Sequence, residues 1–127
     1  MNFDYTVITE KSFDEAVSAV EQETKNAGFN VLYVHNVTAT LAEKGFRIEP
    51  FKIIEICNAK SAYAVLQADI KIGLLLPCKI NVYQKTGKTY ISGMRPVVLS
   101  QFFPQAKLGN LPSEVDILIK GIIDKSK

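Results

Sequence analysis

LLLPCKINVYQKTGKTYISGMR, residues 74–95, decides how this chain folds. Two runs rich in β-branched and aromatic residues are separated by Thr86-Gly87 alone, the spacing of a tight hairpin. That spacing predicts a strand from Leu74 to Lys85 and a return strand from Lys88 to Arg95, stopped by Pro96. With Thr86-Gly87 as the loop, Lys85 faces Lys88, Val82 faces Ile91, Ile80 faces Gly93 and Cys78 faces Arg95. Val82, Ile80 and Cys78 then share one side with Ile91, Gly93 and Arg95; Asn81, Lys79, Tyr83, Tyr90 and Met94 form the other. Gly93 leaves room beside Ile80 for another backbone or a small ligand.

Upstream, Phe3 to Thr9 alternates apolar and polar residues as a half-buried strand does. Ser12-Phe13-Asp14-Glu15 reads as a capping box, followed at helical spacing by Val17, Val20, Thr24 and Ala27, with Gly28 as the stop. Asn30 to Val37 is a second strand, and Thr38 to Lys44 a short helix closed by Gly45. Phe51 to Cys57 is a third strand, and Asn58 suits the cap of a helix in which Ala62, Val65, Leu66 and Asp69 share one side. Gly73 is expected to release that helix into the hairpin. Beyond the hairpin a short helical turn fits residues 97–102. Asn110-Leu111-Pro112-Ser113 opens a last helix whose stripe is Val115, Leu118, Ile119 and Ile122, widened by Ile117 and Ile123. Hairpins join antiparallel neighbours and helices cover one face of such a sheet, so the expected class is α+β.

Length and composition fit one domain, residues 1–127, with 47% hydrophobic and 22% charged residues. No apolar run approaches a membrane span, and the N-terminus has no signal-peptide pattern. The expectation is a cytoplasmic protein with two reduced thiols and no membrane contact. Residues 1–45 hold seven acids and three bases, residues 46–127 six acids and twelve bases. The bases are scattered singly with no nucleic-acid motif, so no nucleic-acid partner is expected.

Chemistry concentrates in two patches, Glu55-Ile56-Cys57-Asn58 and Leu76-Pro77-Cys78. Alternation places Glu55 and Cys57 on the same side of their strand. If that strand and the hairpin are neighbours, Glu55, Cys57, Cys78 and Arg95 form one polar cluster on an apolar face. Candidate ligand-binding residues are therefore Glu55, Cys57, Asn58, Pro77, Cys78 and Arg95, with Cys57 and Cys78 as candidate metal ligands. Each has a plainer reading. A thiol packs as a small hydrophobe, Glu55 can pair with Arg95 or cap a helix, Pro77 can mark a strand edge, and Asn58 can be only a cap. His35, the lone histidine, alternates with Tyr33 and Val31.

The cysteines lie twenty-one residues apart, which excludes a Cys-x-x-Cys redox motif and a four-ligand zinc pattern. A metal would need an assembled site using His35 or Glu55, which a homodimer can complete. No phosphate loop, nucleophile elbow or His-Glu-x-x-His motif is present; the sequence names no cofactor and assigns no residue pair acid and base roles, which leaves enzymatic activity open. Arg95 would lower a nearby thiol pKa and an ionised Glu55 would raise it.

The segments Phe51 to Asn58, Ala62-Tyr63, Gly73 to Cys78 and the Val82-Tyr83 hairpin resemble the domain-of-unknown-function 302 family. The likeness spans most of the chain and rests on the Glu-x-Cys-Asn and Leu-Pro-Cys signatures; Ala59 departs from a frequent proline. The resemblance implies a β-α-β(4)-α architecture, a curved antiparallel sheet backed by helices in the TATA-binding-protein-like class, and a homodimer in a bacterium or archaeon. It implies no activity. The leading functional expectation is a non-catalytic module binding a small molecule or metal. The alternatives are thiol redox or sulfur handling, and a structural or regulatory homodimer without ligand.

Overall fold

The structure is a computed structural model and describes residues 2–127. Its elements are β1 (Asp4–Thr9), α1 (Phe13–Asn26), β2 (Asn30–Asn36), α2 (Val37–Glu43), β3 (Phe51–Cys57), α3 (Ala59–Ala68), β4 (Cys78–Lys85), β5 (Lys88–Met94), α4 (Leu99–Phe102) and α5 (Leu111–Ser126). Short 3-10 segments at Ile70–Leu75 and Pro96–Val98 precede β4 and α4.

The five strands form one antiparallel sheet in the order β1-β5-β4-β3-β2. With α2, α3 and α4 set aside as extra helices, the element order is β-α-β(4)-α, an α+β fold. Hairpin register follows the sequence, with Lys85 opposite Lys88, Val82 opposite Ile91 and Ile80 opposite Gly93. Thr86 and Gly87 both take positive φ, the requirement of a two-residue turn.

One sheet face is covered by α1 and α5. Ile54, Ile56, Ile80, Val82 and Ile91 pack there against Ala16, Val17, Val20, Ile119, Ile122 and Ile123. The capping box of α1 forms on both sides: the Glu15 amide donates to Ser12 Oγ at 3.2 Å, and the Ser12 amide donates to Glu15 Oε1 at 3.0 Å. A second, smaller core of Val65, Ile72, Leu99 and Leu108 ties α3 and its 3-10 turn to α4 and the segment after it.

Two sequence expectations change. The strand anticipated from Leu74 begins only at Cys78. Asp69 Oδ1 accepts from the Lys71 amide and opens a 3-10 turn, which buries Ile72 completely and leaves Leu74 86% exposed. Asp69 therefore ends α3 rather than lying on its inner side. In α5, Ile117 and Leu118 face outward, while Asp116 joins Val115, Ile119, Ile122 and Ile123 on the buried side. The apolar residues outnumber the positions that face the sheet, and the helical period selects those spaced by three and four.

Candidate functional site: an apolar cavity flanked by two thiols

The cavity lies where the ends of β3 and β4 meet α3. Asn58 stops the strand and starts the helix: its Oδ1 accepts the Ser61 amide at 3.1 Å. The inner side of α3, at Ser61, Ala62, Val65 and Leu66, forms one wall. Leu76, Pro77 and Cys78 form another, and the Leu76–Pro77 peptide is cis. Pro96 and Leu99 close the third side, with Leu111, Pro112 and Val115 of α5. The enclosed volume is about 310 Å³, partly open to solvent, and no charged residue lines it. Its polar groups are the Asn58 amide, the Ser61 hydroxyl and the two thiols.

The thiols reach one cavity because Ile56 pairs directly with Cys78 across β3 and β4, and Cys57 follows Ile56. Both cysteines are unbridged and partly buried, and both line the cavity. Burial pushes the Cys78 thiol up, the proximity of Cys57 adds to this, and Lys79 opposes it. Cys78 is therefore held as a neutral thiol at neutral pH and contributes an apolar, polarisable wall.

The four-residue cluster predicted from the sequence does not form. Glu55 alternates onto the uncovered side of the sheet, where its Oε2 sits 2.8 Å from His35 Nε2. Tyr33 packs edge-on against that imidazole, with ring centroids 4.6 Å apart. Arg95 does not face Cys78. β5 ends at Met94, the Arg95 amide donates to Phe3 O at 2.8 Å, and the guanidinium forks onto Asp116 at 3.2 and 3.0 Å. Those hydrogen bonds push the guanidinium pKa further up. Pro96 and Val115, the sequence neighbours of the two partners, are both wall residues.

Of the six candidate residues, Cys57, Asn58, Pro77 and Cys78 line the cavity, and Glu55 and Arg95 do not. Among the described residues, no three of His, Cys, Asp and Glu come together as a metal site. The sequence reading missed the α3 wall, the Arg95–Asp116 ion pair and the His35–Glu55 contact. Asp116, a lone acid in an apolar helix stripe, was the available signal for its pairing; the His35–Glu55 contact depends on a bulged β2 register that no turn fixes.

The family model described as "Domain of unknown function DUF302" matches residues 5–126. The crystal structure of an uncharacterized conserved DUF302 protein from Bacillus stearothermophilus superposes with a TM-score of 0.93. It is 31% identical, and the match covers 100% of both chains. No curated protein matches. The family model spans nearly the whole chain, and the chain belongs to the DUF302 family.

Proposed function

We propose that this protein is a non-catalytic binding module for an uncharged, predominantly apolar small molecule. The observation that carries the reading is the uncharged lining of the 310 Å³ cavity between α3, the β3 and β4 ends and α5. A space of this size with a few convergent polar groups fits a compact organic ligand. An ionised ligand would be left without a counter-charge there, at a large desolvation cost. The Asn58 amide and Ser61 hydroxyl supply orientation, and the thiols supply soft contact surface. A metal is the weaker occupant, since one chain offers two sulfurs there and Cys78 resists losing its proton. The same protonation disfavours Cys78 as a nucleophile.

A thermal-shift panel tests the reading. Neutral apolar compounds should raise the melting temperature by linkage, while their carboxylated or phosphorylated analogues should not. Ala62→Trp, which fills the cavity from α3, should remove the response. No shift from any neutral compound, or an equal shift in the Ala62→Trp protein, contradicts it.

A further inference from the structure

The two most exposed large apolar side chains among the described residues, Leu74 and Ile70, sit on one short 3-10 turn, while Ile117, Phe46 and Tyr33 are exposed elsewhere. Leu74, Ile70 and Tyr63 are 86%, 75% and 68% exposed, and all three belong to α3 and the 3-10 turn that cover the cavity. Their neighbours Val65 and Ile72 point inward and are buried, so the cover is apolar on both sides. Phe102 adds a partly exposed ring from α4, whose Leu99 lines the cavity. Soluble chains seldom gather side chains of this kind at one place unless something covers them.

Charge gathers on the same segments. Residues 58–78 and 96–111 hold Lys60, Lys71 and Lys107 against Asp69 alone, and Asp69 is engaged with the Lys71 amide. The α3 cover itself, residues 58–78, carries a net charge of +1, and Lys107 of the neighbouring segment adds one more positive charge. All three lysines are exposed. Exposed apolar groups among lysines match the boundary of an anionic bilayer: the rings and branched chains enter the acyl region while the ammonium groups stay with the headgroups.

We propose that the α3 cover docks on an anionic lipid surface, and that the cavity exchanges its apolar occupant there. The exchange rests on the binding reading above; the docking does not. Among the described residues, no helix is long and apolar enough to cross a membrane. The expectation of no membrane contact was drawn from the missing span, and docking in the interface plane does not need one.

Flotation with vesicles tests this. The wild-type chain should float with vesicles of equimolar phosphatidylcholine and phosphatidylglycerol, and not with phosphatidylcholine alone. Ile70→Ser/Leu74→Ser should lower the bound fraction roughly tenfold, since both side chains would enter the bilayer boundary. Both positions face water, so an unchanged melting temperature is expected of that variant. Lys60→Glu/Lys71→Glu, or raised salt, should also release the protein. Wild-type protein that ignores anionic vesicles, or a serine variant that floats equally, overturns the proposal. So does a wild-type mass in solution that doubles without vesicles and returns to one chain in the serine variant, since the patch is then a protein contact. Ala62→Trp separates the two readings: a variant that floats normally yet takes up no neutral apolar probe supports docking independently of the cavity. Wild-type protein that floats but takes up no probe supports docking and rejects the binding reading alone.

Discussion

Gly93 of β5 lies directly against α5. A Cβ there would lie 3.1 Å from Ile123 Cδ1 and 3.4 Å from Ile119 Cγ2, both buried. Gly93→Val should overpack that contact and cost about 1–3 kcal/mol, read as a lower denaturant midpoint at unchanged slope. Its role is room for a helix, one of the uses the sequence allows, and the ligand cavity lies elsewhere. Cys78 makes a second test. Burial, then Cys57, raises its pKa, against Lys79. The folded chain therefore keeps this proton to higher pH than the unfolded chain. Between the ordinary thiol pKa and the raised one the native state binds more protons, so stability falls as pH rises through that window. Wild type should lose more stability than Cys78→Ala between neutral and alkaline pH, and Cys78 should react with iodoacetamide more slowly than a free thiol at neutral pH. A steeper loss in Cys78→Ala, or fast alkylation of Cys78, contradicts its buried, neutral state.

Among the elements, α3 does two jobs: it supplies a cavity wall, and its start fixes where β3 ends. The Asn58 side chain is its cap, and Ala59 follows at the first helical position without the preset φ of a proline. Asn58→Ala should cost about 1 kcal/mol of stability and should speed amide exchange at Ser61 and Ala62 ahead of the rest of the helix. Uniform protection along α3 in that variant would show that tertiary packing, not the cap, holds its first turn. The hairpin was legible to the residue because two turn positions set its whole register. The stretch before it was not. Residues 72–76 are apolar throughout, and a continuous apolar run carries no period with which to choose strand over 3-10 turn. Asp69, able to cap the chain locally, decided that choice.

For the molecule as a whole, the α+β class and the strand-helix order were legible, and the candidate site was legible in part. The two cysteine patches do line one cavity, because β3 pairs with β4 at Ile56 and Cys78. Glu55 and Cys57 share strand parity, yet Cys57 is the last residue of β3, where the turn into α3 takes over from alternation. Glu55 remains on the uncovered face with His35, the face that also carries the stacked rings of Phe51, Tyr83 and Tyr90. Arg95 lies beyond its strand and answers to Asp116, a partner twenty-one residues away that strand spacing cannot reveal. The molecule thus separates a charged and aromatic face from an uncharged cavity, and the binding claim assigns the ligand to the cavity. Amide chemical-shift mapping during titration with a neutral apolar compound tests that assignment directly. Saturable shifts at Asn58, Ser61, Val65, Cys78 and Val115, with His35 and Glu55 unmoved, are the expected result. Shifts confined to His35, Glu55 and their neighbours, or no saturable shifts with any such compound, would contradict it.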